Sequence, residues 1–314
     1  MYHDTSVSEI PGARNPRLVL LASGWAIATV VILLALKTYA YWQSGSAALL
    51  GSLVDSFTDL CISIIMLMAV RLSLKPADET HRHGHGKAEG IAALFQGSLL
   101  AGGAGFLALQ SFDRLINPQA VSAHDLAIGV SSIAILLSLI LVLVQNYCLK
   151  RAPSLAIKAD RVNYAGDMML NGAVIAALLA DRLGGPGWID PLCGLAIAGW
   201  LGFAACRIGE DAINMLLDRE LPDDVRADIL AIIRDNDDVR GVHDLRTRQS
   251  GMAWHISFDV ELEATQTLRA AHAVSRELEM AILSVYPHSE IIIHKDPHGD
   301  PHDARHSVEG VHDL

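Results

Sequence analysis

The stretch SAALLGSLVDSFTDLCISIIMLMAV, residues 46–70, decides the fold. Its length suits a bilayer core, which needs about 20 mostly apolar residues per helix. Yet it carries Asp55 and Asp59, four positions apart and therefore on one helix face. Left facing lipid, each carboxylate would cost about 2.5–3.5 kcal/mol on an insertion scale. Working outward, comparable apolar runs occur at 17–41, 88–112, 123–149, 160–183 and 188–208, separated by polar loops. Six transmembrane helices are expected. The first run leads into another apolar segment at Ala40, Tyr41 and Trp42 without a small-residue cleavage site, so it does not read as a signal peptide.

The fifth run repeats the pattern of the second. Asn163 and Asp167 stand four residues apart within DRVNYAGD, residues 160–167. If the two faces meet, three carboxylates and one amide oxygen converge inside the membrane. No Lys or Arg is expected at that depth, so a divalent cation alternating with protons is the adequate counter-charge. Two matched pairs argue for a site, where a single polar residue would argue only for structural glue between helices. Gly102, Gly103 and Gly105 in the third run fit close helix packing.

Charge is unevenly distributed over the 314 residues. The formal net charge is -11, which excludes a basic nucleic-acid binder. Residues 1–220 are almost balanced, with 17 acids and 15 bases, whereas 221–314 hold 18 acids, 9 bases and 9 of the 14 histidines. Two bodies are implied: a bundle over 17–215, after an arm of 16 residues, and a polar domain over 216–297 followed by a His-rich tail at 298–314, expected to be disordered. Arg14 and Arg17, then Arg71, Lys75, Arg82 and Lys87, then Lys150, Arg151, Lys158 and Arg161 fall in connections on one side of the bundle. The opposite connections offer only Arg114 and Arg182, so both termini are expected in the cytoplasm. Cys61, Cys148, Cys193 and Cys206 sit singly and read as small apolar residues.

In the polar domain, helical spacing over about 222–235 gives way to alternating stretches near 242–249 and 254–262. A second helix near 266–285 and the β-branched run Ile291-Ile292-Ile293 complete the order αββαβ, that of a ferredoxin-like α+β layer. Two further ligand clusters stand out. Asp78, His81, His83 and His85 crowd the loop PADETHRHGHGK, residues 76–87, and imidazole with carboxylate at such spacing suits zinc or another borderline ion. His243, Asp259, His272, His294 and Asp296 are dispersed over the last domain, where only folding can unite them. His294 and Asp296 share one strand face.

The motifs SGSAALLGSLVDSFTDL (44–60), PADETHRHGHGKAEG (76–90), KADRVNYAGDMMLNG (158–172), LLDRELP (216–222), VHDLRTRQSG (242–251) and IIIHKDP (291–297) resemble those of the cation diffusion facilitators. The resemblance runs from about Arg17 to Pro297 and is strongest to the bacterial ferrous-iron/zinc efflux type. It implies a homodimer in the bacterial inner membrane, with no enzymatic activity and no organic cofactor. Each six-helix subunit would exchange cytoplasmic divalent metal for protons by alternating access. The cargo would be Zn2+ or Fe2+, with Mn2+, Cd2+ and Co2+ as further candidates.

Residue by residue, the resemblance places Asp55, Asp59, Asn163 and Asp167 in the transport site. Asp78, His81 and His85 fall in a loop site, without His83, and His243, His272, His294 and Asp296 in a binuclear regulatory site between two cytoplasmic domains. Lys87 and Asp218 match a charge pair that latches the dimer. Two positions depart from the family pattern: Asn163 and Asp259 stand where histidine is common. Both substitute oxygen for nitrogen, which favours harder ions such as Mn2+ or Fe2+.

Two other classes are weaker. An intramembrane metalloenzyme would need a ligand set such as HExxH, which is absent from the sequence. A membrane-tethered sensor without flux would need only the polar domain and leaves the carboxylates of the second and fifth helices without a purpose.

Overall fold

The apolar runs form helices because, in a bilayer, a helix satisfies every backbone N–H and C=O within its own segment. The computed structural model describes residues 16–44, 47–117, 125–182, 186 and 188–300. Its first six elements are α1 (Pro16–Ser44), α2 (Ala47–Ser73), α3 (Ala88–Ile116), α4 (Asp125–Arg151), α5 (Leu155–Arg182) and α6 (Ile189–Leu216). Hydroxyls inside them bond back to their own helix: Ser23 Oγ donates to the Val19 carbonyl at 3.2 Å and Thr58 Oγ1 to that of Val54 at 3.0 Å. The spans Pro16–Gln43, Ser52–Ser73, Ala88–Ile116, Ile128–Arg151 and Ile189–Leu216 are long and apolar enough to cross a membrane. The remaining helix, α5, is as long at 28 residues, but Lys158, Asp160, Arg161, Asn163 and Asp167 crowd its first half. Its polarity, concentrated where the site forms, is what sets it apart.

Small residues bring the helices together. Ala26 and Val30 of α1, Leu141 of α4 and Tyr164 of α5 form a fully buried cluster, against which Leu60 of α2 packs. Glu89, buried near the start of α3, accepts from Ser154 Oγ and from the Ala156 backbone N–H at 3.1 Å. The first turn of α5 is thereby satisfied by a side chain from another helix. Gly194 of α6 lies against Ser111 of α3, where an added Cβ would clash with Oγ and fall 3.2 Å from Cβ. Gly194→Ala is expected to destabilise the bundle by about 1–3 kcal/mol, read as a lower melting temperature in detergent. Gly102, Gly103 and Gly105 do not make the expected close contacts. Among the described residues, a Cβ at any of them would have no neighbour within 4 Å.

In the last turn of α6 the chain passes into a second compact unit, with the division between Ile213 and Asn214. Its elements are α7 (Asp223–Arg234), β1 (Gly241–Ser250), β2 (Ala253–Leu262), α8 (Leu268–Val285) and β3 (Ser289–Pro297). Strand order is β1-β2-β3, with β1 antiparallel and β3 parallel to β2. The order αββαβ is as expected, and β3 extends well beyond the Ile291–Ile293 run at both ends. Alternation in β2 sends Trp254, Ile256, Phe258, Val260 and Leu262 into a core with Ile229 and Ile233 of α7 and Leu278 and Ile282 of α8. It sends His255, Ser257, Asp259 and Glu261 to the other face. The arm through Asn15 and the tail residues His302, His306 and His312 lie outside the described residues.

Candidate metal sites

The transport-site candidates occupy two helices linked by side-chain hydrogen bonds. Asp55 and Asp59 come from α2, Asn163 and Asp167 from α5. Asn163 Nδ2 donates to Asp59 Oδ1 at 3.2 Å, and Asp167 interacts electrostatically with both Asp59 and Asp55. One turn away, Ser63 Oγ and Tyr164 Oη are 2.8 Å apart and buried, a second polar link between the same two helices. In this geometry the Asn163 amide presents its nitrogen to Asp59. Offering its oxygen to a metal would require the amide to turn over.

Two charged groups escaped the sequence reading. The expectation that no Lys or Arg lies at this depth is incorrect. Lys37 of α1 is buried at 8% exposure, and its ammonium donates to Ser56 Oγ at 2.6 Å and to the Ser52 carbonyl at 3.1 Å. Ser56 lies between Asp55 and Asp59 on α2, so the ammonium is held on the turn that carries the site carboxylates. A lone lysine in an apolar helix was a legible signal, because intramembrane ionisable groups are rarely idle. The other missed group is Asp160, buried on α5, whose Oδ2 accepts from Gln145 Nε2 of α4 at 2.8 Å. It lines a small cavity together with Ser23 and Ser63.

The loop between α2 and α3 gathers Asp78, His81 and His85, each offering a ligand atom within 4.8 Å of the others. His85 Nε2 lies 3.3 Å from Asp78 Oδ2 and His81 Nδ1 3.4 Å from Asp78 Oδ1. The backbone N–H groups of His81 and Thr80 both donate to Asp78 Oδ1, at 2.8 and 3.0 Å. Hydrogen bonds from His81 and Thr80 hold the Asp78 carboxyl well below the usual carboxylate range. Gly84 takes a φ of 76°, which lets the loop turn back between the two histidines.

In the second unit, strand register unites the dispersed cluster. His243 pairs with Asp259 across β1 and β2, and Asp259 with His294 across β2 and β3. His243 Nε2 lies 3.3 Å from Asp296 Oδ2, and His294 Nε2 3.2 Å from Asp296 Oδ1. Burial pushes the Asp259 carboxyl up, with His294 and His243 pulling it back. His272, exposed on α8, is outside the group formed by His243, Asp259 and Asp296. The register breaks between His243 and Arg246, where Asp244 adopts a φ of 51°. Such a bulge re-aims neighbouring side chains, and no pattern in the sequence announced it. Of the expected latch pair, Lys87 belongs to the first unit and Asp218 to the second. Asp218 Oδ2 pairs within its own unit with Arg248 Nη1 at 3.3 Å.

Residues 25–217 match the family described as the cation efflux transmembrane domain. The chain belongs to the cation efflux family. Residues 221–298 match the family described as the cation efflux protein, cytoplasmic domain. Among curated relatives, the cation-efflux pump FieF of Pectobacterium carotovorum subsp. carotovorum is 41% identical over 281 residues, covering 90% of this chain and 93% of the relative. The FieF pumps of Cronobacter sakazakii and Salmonella arizonae are each 42% identical, over 281 and 283 residues, with the same coverage. Two solved structures match part of the chain. The metal-bound C-terminal domain of the CzcD transporter from Thermotoga maritima is 26% identical over 24% of this chain and 91% of its own, with a TM-score of 0.24. The Zn form of the putative zinc transporter CzrB is 29% identical over 27% and 99%, also with a TM-score of 0.24. As a cation efflux family member, the chain is a multi-pass membrane transporter of divalent metal and not an enzyme.

Proposed function

We propose that the chain exports divalent metal of the Zn2+/Fe2+ class from the cytoplasm in exchange for protons. It works by alternating access around Asp55, Asp59, Asn163 and Asp167, as a homodimer in the bacterial inner membrane with both termini cytoplasmic. The carrying observation is that Asp59 of α2 meets Asn163 of α5 at 3.2 Å, with Asp55 and Asp167 each one turn along the same two helices. Such a set lacks charge balance in hydrocarbon unless a cation or protons join it. Rocking of a bundle about a midplane site is the general way to expose it to either side.

Asp78, His81 and His85 form the loop site, with mixed donors suited to borderline ions. His243, Asp259, His294 and Asp296, with His272 supplied across the dimer, form the regulatory site. Metal there draws two cytoplasmic domains together and shifts the conformational balance of the dimer. Lys87 and Asp218 act as the latch at the membrane surface. A preference for Mn2+ or Fe2+ over Zn2+ is favoured by one observation, the amide at position 163 in place of an imidazole. The test is time-resolved metal uptake into proteoliposomes by the wild-type chain and by Asp59→Ala. Wild-type flux separates a transporter from a tethered sensor directly.

A further inference from the structure

Glu89 lies in the first turn of α3, is 2% exposed, and reaches across to the start of α5. Ser154, the residue before α5, accepts the Ile157 backbone N–H at 3.3 Å, as an N-cap hydroxyl does. The Ala156 N–H, also left over at the helix start, donates to Glu89 Oε1 at 3.1 Å. Ser154 Oγ donates to the same oxygen. A side chain of α3 thus completes the cap of α5. Asn163 stands seven residues beyond Ala156, two turns along the same face of α5, and Asp167 one turn further.

The turn that carries Glu89 leads straight back to the loop cluster. The Ala88 N–H donates to the His85 carbonyl at 2.9 Å, and the Glu89 N–H to that of Gly86 at 3.2 Å. Lys87 between them already has helical angles, with φ −65° and ψ −14°. Hydrogen-bonded turns therefore run unbroken from His85 into α3. His85 Nε2 faces Asp78 Oδ2 at 3.3 Å, so an ion held by Asp78, His81 and His85 would fix the very turn on which Glu89 sits.

We infer that Glu89 is a positioning residue that joins the loop cluster to the transport helix. A divalent ion at Asp78, His81 and His85 steadies the start of α5 through the Glu89 cap, and with it the placement of Asn163 and Asp167. The inference rests on the loop-site and transport-site readings above. Sites coupled in this way change each other's affinity by roughly 5–150-fold, and the effect is reciprocal.

The experiment is hydrogen–deuterium exchange of the full chain in detergent, with and without Zn2+, followed over the loop 76–87 and the α5 start 154–158. In wild type, Zn2+ is expected to slow exchange in both segments, by about tenfold at the α5 start. His81→Ala, which leaves Asp55, Asp59, Asn163 and Asp167 in place, is expected to lose both responses. Glu89→Ala is expected to keep the loop response and lose that of α5. Glu89→Gln, whose carbonyl can still accept the Ala156 N–H, is expected to restore it. If Glu89→Ala does not fold, Ser154→Ala, which removes the hydroxyl link to Glu89, is expected to weaken the α5 response alone. Zn2+ flux in proteoliposomes adds a second readout: His81→Ala is expected to raise the KM in the wild-type background and to leave it unchanged in the Glu89→Ala background. A cap that is merely structural would give an α5 response that survives in His81→Ala, and KM effects that multiply. Either result overturns the coupling, as does an α5 start that ignores Zn2+ while the loop is protected. Absence of loop protection in wild type refutes the loop site itself, and the coupling with it.

Discussion

Asp59→Ala and Asp167→Ala are each expected to reduce metal flux in proteoliposomes by at least about a hundredfold while the protein remains a folded dimer. The size of the effect follows from charge. At an effective dielectric of about 20, a pair of unit charges 4 Å apart interacts by about 4 kcal/mol, roughly a thousandfold in an equilibrium constant. A divalent ion loses at least that much attraction when one carboxylate is removed. Each residue also has a specific partner: Asp59 accepts from Asn163, and Asp167 interacts with both α2 carboxylates. Folding should survive because neither residue belongs to the apolar cluster of Ala26, Val30, Leu141 and Tyr164, and because the second unit has its own core around Ile256, Phe258 and Leu278. The checks are flux by a fluorescent metal indicator and dimer mass by light scattering in detergent. Undiminished flux in both variants would remove these residues from the site.

Much of the fold was legible because periodicity and length are local properties. Asp55 with Asp59, and Asn163 with Asp167, could be put on helix faces from spacing alone, and the alternation of Ile256, Phe258 and Val260 marked β2. What remained hidden depends on how elements meet. Nothing along the chain says that Lys37, in α1, reaches across to Ser56 in α2, nor that Gln145 of α4 covers Asp160 of α5. The row His243, Asp259, His294 exists through register and a bulge at Asp244, both properties of pairing. Gly102, Gly103 and Gly105 show the opposite error: a small-residue pattern predicted contacts that are not found among the described residues.

Asn163→His is expected to shift selectivity toward Zn2+ and to raise the number of protons exchanged per metal. In the wild-type chain the amide at 163 spends its nitrogen on Asp59 Oδ1, so one carboxylate oxygen is engaged by a neutral donor that cannot itself bind metal. Turning the amide over supplies a neutral oxygen, a donor that suits Mn2+ and Fe2+ better than zinc. Histidine changes both features. A neutral imidazole nitrogen favours Zn2+, and its ordinary titration near pH 6.5 adds a proton acceptor that asparagine lacks. The expected outcome is about a tenfold rise in the ratio of Zn2+ to Mn2+ flux, by the preference of imidazole over oxygen for zinc. It is measured with Zn2+, Fe2+, Mn2+, Cd2+ and Co2+ in parallel and with a lumenal pH dye for the proton count. Because the substitution exchanges one neutral donor for another without removing a carboxylate, total flux should persist, unlike that of the aspartate variants. Wild type that carries Zn2+ best, together with an unchanged metal ranking and proton ratio in Asn163→His, would show that position 163 sets neither selectivity nor coupling.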